Sequence, residues 1–109
     1  MKPRANLSAR DREALVHAFE RAVLEIPTVR AVRVGRRVTH GAQYEQTPLA
    51  ADFLILIDFD DLAGLQTYLR HPAHEAVGAH FNRLLDSGWA YDFETGDLAR
   101  LREFAGEAS

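Results

Sequence analysis

Four phenol or imidazole side chains, which can exchange protons or form directed hydrogen bonds, lie close together in residues 68–80. They are Tyr68, His71, His74 and His80. An imidazole has an ordinary pKa of ~6.5 and can both accept and release a proton near neutrality, while a phenol can donate a hydrogen bond to a carbonyl oxygen. This segment therefore contains the side chain types that general acid–base chemistry requires.

The same histidines are poorly spaced for a metal site. His74 and His80 stand at i and i+6, about 240° apart around a helix of ~3.6 residues per turn, whereas the zinc helix motif needs i and i+4. His71 and His74 have no third ligand at a defined spacing. The chain also contains no cysteine, which excludes thiolate ligands and thiolate nucleophiles. We predict neither a metal nor any other cofactor.

Tyr68 and His74 remain as the candidate catalytic pair. Pro72 disfavours helical geometry at the preceding His71 and suits the first turn of a new helix, so two helices should meet at this joint. His74 then falls three residues before Val77, on the apolar stripe of the second helix. Two interpretations are open: an acid–base pair facing a cleft, or two polar side chains that only hydrogen-bond each other or the backbone.

The strand that precedes the joint is the most informative element. Residues 53–59, FLILIDF, contain no polar side chain until Asp58, so both faces of this strand should be buried. A chain of 109 residues can cover only one face of an antiparallel sheet with its own helices, which leaves an apolar face of the kind that marks an interface. We infer a homodimer in which two sheets pack face to face.

Hydrophobic periodicity predicts the remaining elements. A helix after Ser8 ends at Pro27, and a strand over residues 28–38 places Val32, Val34 and Val38 on one face and Val29 on the other. Three further elements are predicted: a polar loop over residues 40–48, a last strand over residues 89–93 and a short helix over residues 97–104. Tyr44, in the polar loop, is a candidate lid residue.

The composition is that of an ordinary globular domain. Its hydrophobic fraction of 47% and net charge of -3 indicate neither disorder nor a nucleic-acid partner. The longest apolar run is too short to span a bilayer, and the charged start of the chain does not resemble a signal peptide. We therefore expect a cytoplasmic location with no membrane partner.

The order of elements and the string YLRHPAH at residues 68–74 resemble the stress-responsive alpha/beta barrel domain family, often called Dabb. The resemblance runs from about Ser8 to Glu94. It implies an α+β protomer with a ferredoxin-like antiparallel sheet, helices on one face, and a dimeric alpha/beta barrel. On this basis we predict an N-terminal segment over residues 1–7, the barrel domain over residues 8–96, and a short helix and tail over residues 97–109.

The start of the chain departs from that family. Family members usually begin with an apolar strand, whereas residues 1–7, MKPRANL, resemble only the turn that should follow it. The first strand is thus predicted to be missing. Either the chain starts further upstream or the sheet has three strands, with an unpaired edge beside the cleft.

The resemblance also bears on function. One branch of the family contains plant polyketide cyclases, whose catalytic histidine and tyrosine correspond to His74 and Tyr68. For this branch the implied reaction is a cofactor-free intramolecular aldol condensation of a linear polyketide, although most family members have no established reaction. Our leading hypothesis is a homodimer with a cleft for a small apolar or polyketide-like ligand. A lyase is the alternative, and a small barrel monooxygenase is a weaker one by fold analogy. The further side chains expected to contact the ligand are His71, Phe81, Tyr44 and Trp89.

Overall fold

The computed structural model describes residues 1–47 and 51–107. Pro48, at the end of the predicted loop, and residues 108–109 of the predicted tail lie outside these described residues. The helices and strands are β1 (Lys2–Pro3), α1 (Ala9–Glu25), β2 (Val29–Arg36), β3 (Phe53–Phe59), α2 (Leu62–Arg70), α3 (Pro72–Leu84), β4 (Leu85–Ser87) and α4 (Leu101–Glu107). Single 3-10 turns occupy Gln43–Glu45 and Leu98–Arg100. Both strand pairs are antiparallel, as the predicted α+β class requires.

The hairpin of β2 and β3 contains a β-bulge. Val29 pairs with Phe59 and Val32 pairs with Ile57, and the register shifts by one residue between Val29 and Ala31. Because of this extra residue, Val29 and Val32 lie on the same face of the sheet. The prediction that placed them on opposite faces was wrong, since a strict period of two cannot show a bulge.

Strand β3 alternates between a covered and an open face. Ile57 and Phe59 pack against the buried core beneath the helices. Leu54 and Leu56 point to the other side, where their exposed fractions are 49% and 47%. Gly35, on β2, lies opposite Leu54 of β3. Because glycine has no side chain, nothing at this position of β2 shields Leu54, and this part of the open face is apolar. The sheet of a single chain therefore has one apolar face that its own helices do not cover.

The first residues join the two strand pairs. The Met1 amino group donates to the Phe53 carbonyl at 2.6 Å, and the Phe53 amide donates to the Met1 carbonyl at 3.3 Å. The next residues form β1, which pairs antiparallel with β4. The two pairs are separate two-stranded sheets. The hydrogen bonds of Met1 place β1 beside β3, so the spatial order of the strands is β4-β1-β3-β2, as in a ferredoxin-like fold. The first strand is thus reduced to two residues, and beyond Phe53 this edge of β3 makes no further main-chain hydrogen bond within the described residues.

The last strand differs from its prediction. Strand β4 covers Leu85–Ser87, and residues 88–97 have no regular secondary structure, so the predicted strand over residues 89–93 was wrong. The reason is the shortness of β1, which offers pairing partners only to Ser87 and Leu85. Residues 89–93 have the side chain pattern of a strand but no neighbouring strand to complete a ladder.

The helices lie on one face of the sheet, and α1 packs along α3. Ser8 caps α1 by accepting a hydrogen bond from the Asp11 amide at 3.0 Å. No helix in residues 1–47 or 51–107 is long and apolar enough to cross a membrane. The main buried cluster contains Ala18, Ala22, Ile26, Tyr68, Ala73 and Val77. A second, smaller cluster contains Leu15, Leu84 and Leu85.

Candidate functional site

Helix α2 is held in place at its first turn. The Asp61 carboxylate accepts a hydrogen bond from the Gly64 amide at 2.8 Å and so caps the helix. The Thr28 hydroxyl, at the start of β2, donates to the Gly64 carbonyl at 2.8 Å. Tyr68 follows one turn later on the same helix face and is positioned by these contacts.

The joint between α2 and α3 is formed by His71. Its Nδ1 accepts a hydrogen bond from the Ala73 amide at 3.0 Å, so the imidazole caps α3, while Pro72 is the first residue of that helix. A histidine in this position satisfies a main-chain donor. His71 was predicted to contact a ligand, but the structure directs its ring to the helix end and not to the cleft described below.

Tyr68 and His74 come together across the joint. Their ring centroids are 4.7 Å apart, and the Tyr68 ring also contacts Phe59 at 5.1 Å. Tyr68 is only 6% exposed, and this burial raises the pKa of its phenol above the ordinary value of 10.0. The phenol therefore remains protonated at neutral pH and can act as a hydrogen-bond donor.

The polar ends of these two side chains are not used by the fold. Neither the Tyr68 hydroxyl nor the His74 ring hydrogen-bonds to another group within the described residues. The interpretation in which these side chains only hydrogen-bond each other or the backbone therefore does not describe this structure. No fully buried side-chain oxygen or nitrogen among these residues lacks a partner. The Tyr68 hydroxyl therefore has access to open space, which is the cleft.

The cleft has a volume of about 410 Å³ and lies between β3, the two helices and residues 89–92. This volume is within the range of small-molecule sites, which is roughly 300–1,000 Å³. Among the described residues, Asp92 is the only acidic side chain that lines it. The apolar walls are formed mainly by Ile55, Ile57, Phe59, Leu65, Val77 and Phe81.

The other predicted ligand contacts divide into two groups. Phe81 and Trp89 line the cleft, and the Phe81 ring packs so closely on Gly88 that a Cβ there would overlap it. Tyr44 lies elsewhere: it is exposed, contacts the His40 ring at 6.3 Å, and borders a separate shallow pocket beside β2. The structure thus brings two of these residues to Tyr68 and His74 and leaves Tyr44 apart.

His80 also lies outside the cleft. Its Nδ1 is 3.2 Å from the Arg83 guanidinium, one turn along α3. Within residues 1–47 and 51–107, no three His, Cys, Asp or Glu side chains are grouped so that they could hold a metal ion.

Most of the residues that line the cleft were not predicted as site residues, and Gly78 and Met1 are two of these. Gly78 stands one turn after His74, and a Cβ at this position would meet no atom within 4 Å, so it leaves space beside the imidazole. Its spacing of i+4 from His74 was a signal that could have identified it. Met1 also lines the cleft, but no local pattern indicates this because its position depends on the strand order.

Several solved structures are similar to this chain, and two of them are described here. One is a dimeric ferredoxin-like protein of unknown function from Thermobifida fusca YX, with a TM-score of 0.58 and 21% identity over 79% of this chain and 76% of the other. The second is a dimeric protein of unknown function with a ferredoxin-like fold from Bacteroides fragilis NCTC 9343, with a TM-score of 0.51 and 21% identity over 79% and 81%. These likenesses establish the ferredoxin-like fold.

The family comparison is more specific. No curated protein matches the chain. The model of the stress responsive A/B barrel domain, Dabb, matches residues 1–95, which include β1, the joint and every residue that lines the cleft. The chain therefore belongs to the stress responsive A/B barrel domain family.

Proposed function

We propose that this protein is a homodimeric binding domain whose cleft takes a small, largely apolar molecule that carries a carbonyl or hydroxyl group. The observation behind this proposal is the presence of two unpaired polar groups, on Tyr68 and His74, in a cleft whose walls are mainly apolar. Small-molecule sites commonly combine apolar walls with a few convergent polar groups of this kind.

The chemistry of the walls narrows the ligand class. The protonated phenol of Tyr68 donates a hydrogen bond, and the imidazole of His74 can donate or accept one. A carbonyl oxygen beside an aliphatic or aromatic group matches both features. Asp92 at the border of the cleft disfavours an anionic ligand, because its carboxylate would repel a second negative charge.

The open sheet face supports the homodimer. Leu54 and Leu56 are about half exposed on a face that the helices do not cover. A second copy of the same face would remove both from water by a two-fold arrangement. The two similar structures are both described as dimeric, which agrees with this proposal.

Ligand binding can be tested with 4-hydroxyacetophenone, a small aryl ketone, by titration calorimetry and by the emission of Trp89, the single tryptophan of the chain. The blocking variant is Gly78→Leu, which extends a side chain into the cleft from a position with no atom within 4 Å of the Cβ. The matched control is Ala79→Leu, on the exposed side of the same helix. We expect binding to wild type and to Ala79→Leu, and at least tenfold weaker binding to Gly78→Leu.

Equal affinity in the two leucine variants would show that the ketone does not occupy this cleft. No heat and no change in emission with wild type, across aryl ketones of increasing size, would contradict the proposed ligand class.

A cofactor-free lyase is the second candidate, favoured by the 4.7 Å approach of Tyr68 and His74 in the cleft. In such a reaction the His74 imidazole removes a proton from the carbon next to a ketone. Tyr68 donates a hydrogen bond to the enolate oxygen that forms. The enolate carbon then attacks a second carbonyl of the same chain, and the imidazolium returns its proton to the resulting alkoxide. The product is an aldol, with no net gain or loss of protons or electrons.

This candidate is tested with a linear polyketone thioester, followed by mass spectrometry of the cyclised product. We expect His74→Ala to abolish turnover while 4-hydroxyacetophenone still binds, and His80→Ala to retain turnover because His80 lies outside the cleft. Turnover that is unchanged in His74→Ala would exclude His74 as the base.

A further inference from the structure

The C-terminal arm, which we define as residues 88–107, extends away from the packed core. Every residue from 91 to 99 is exposed. Its large apolar side chains are mostly in water, with exposed fractions of 79% at Phe93 and 83% at Leu98. The family match ends at residue 95, so the second half of the arm is an addition to the family domain.

The end of the arm is nevertheless ordered by its own contacts. The Arg100 guanidinium bonds Glu94 at 2.6 Å and Glu103 at 3.2 Å, and its carbon lies 4.5 Å from the centre of the Phe104 ring. These contacts bridge the segment before the 3-10 turn and the helix after it. An arm that is already folded loses less conformational entropy when it docks than a disordered tail would.

The chain exposes far more surface than a compact monomer of its size. Its accessible area is 8549 Å², whereas a compact protein of 12.2 kDa exposes about 6,100 Å². Its radius of gyration is 16.1 Å, against about 13 Å for a compact domain of this length. The excess of roughly 2,400 Å² exceeds the ~800 Å² per partner of a standard interface.

The sheet face alone does not provide that interface. β3 has 7 residues. Two strands of this length, at about 3.4 Å per residue and ~4.8 Å between strands, cover a flat area of roughly 230 Å². This is well below the ~800 Å² that each partner usually contributes to a stable dimer. A homodimer therefore needs a further surface, and the arm exposes several large apolar side chains, among them Tyr91, Phe93, Leu98 and Leu101.

The charges of the arm and the sheet are complementary. The arm contains five acidic and two basic residues. Residues 29–37, which form β2 and the residue after it, contain four arginines and no acid. Arg33 lies opposite Leu56, on the open face, and takes part in no ion pair within the described residues.

We propose that the C-terminal arm docks on a second copy of this chain, with its apolar side chains and acidic groups along the arginine-bearing strand β2, beside the part of the open sheet face that the partner's own sheet covers. This inference rests on the homodimer proposed above, and it adds the C-terminal arm to the surfaces that form the dimer interface. It also ties assembly to the cleft, because residues 89–92 at the base of the arm form one wall of that cleft.

The proposal is tested by sedimentation equilibrium of the full chain from 1 to 100 µM, a range chosen to bracket a micromolar dimer. The arm variant is Leu98→Asp with Leu101→Asp. The matched control is Val16→Asp with Leu24→Asp, two exposed apolar side chains of α1. The sheet variant is Leu56→Arg. Far-UV circular dichroism of each variant checks that the fold is retained.

We expect the arm variant to weaken dimerisation at least tenfold, the α1 control to change it less than threefold, and Leu56→Arg to give monomers. A dimer of wild-type strength in the arm variant, together with a monomeric Leu56→Arg, would overturn the role of the arm and leave the homodimer intact. A monomeric wild type at 100 µM would overturn both.

Discussion

The imidazole of His71 provides the most direct test of how the candidate site is built. Its Nδ1 accepts the Ala73 amide at 3.0 Å and so begins α3, the helix that carries His74 and Val77. Replacing His71 by alanine removes this acceptor. Because the ring is only half buried, its removal leaves no enclosed cavity, and the cost is that of a lost helix cap.

A lost N-cap costs about 1 kcal/mol, within a range of roughly 0.5–2 kcal/mol. For a domain of 109 residues, with an unfolding entropy of ~2.1 cal/mol/K per residue, this corresponds to a melting temperature about 4–5 °C lower. We expect this decrease in His71→Ala, and most of the stability back in His71→Asn, whose side-chain oxygen can accept the same hydrogen bond. The measurement is thermal unfolding by circular dichroism at one fixed protein concentration, because dimerisation would make the midpoint concentration-dependent.

Two results would refute this reasoning. One is a His71→Asn variant as unstable as His71→Ala, which would show that the lost interaction is not a cap. The other is a tenfold or larger loss of affinity for 4-hydroxyacetophenone in His71→Ala well below its melting temperature. That loss would indicate the direct ligand contact predicted from the sequence.

The remaining predictions concern ionisation and packing. Because burial raises the pKa of Tyr68 above 10.0, the unfolded chain releases this proton first as pH rises. The stability contributed by the protonated phenol is therefore fully present below pH 10.0 and falls as pH rises from there toward the folded pKa. Urea unfolding between about pH 9 and 11 should show a smaller alkaline decline in Tyr68→Phe, and an unchanged decline would contradict the assignment. Gly88→Ala should lower the free energy of unfolding by about 1–3 kcal/mol, because the Phe81 ring must move to admit the methyl group. Gly78→Ala, with no neighbour within 4 Å, should instead raise it by up to ~1 kcal/mol, and equal effects in the two variants would contradict the packing argument.

Local sequence signals predicted the helices and the joint well. The Ser8 cap and Pro72 act over a few residues, so they indicate where α1 and α3 begin without knowledge of the rest of the fold. The apolar run of β3 likewise showed that the strand has two apolar faces. The family resemblance, carried by a string of seven residues, was confirmed by the family match over residues 1–95.

Features that depend on distant partners were not predictable in this way. The bulge beside Val29 and the early end of β4 both follow from which strand lies opposite, and that strand comes from another part of the sequence. Tyr44 lies apart from Tyr68 and His74 for the same reason, because its position depends on the path of the chain between β2 and β3. The roles of Tyr68 and His74 stay a prediction, although the structure brings the two rings together.

The one-sided pairing of β3 has a consequence for amide hydrogen exchange. The main-chain groups of Phe53 bond to Met1, on the side away from β2. Because the amides of an antiparallel strand point alternately to either side, those of Leu54 and Leu56 point toward β2 and those of Ile55 and Ile57 toward the other edge of β3. Exchange rates along the most apolar strand should therefore alternate from residue to residue. A ligand that reaches this edge would slow only the amides of Ile55 and Ile57. Exchange measured residue by residue would thus show how deeply a molecule enters the cleft, even before its identity is known.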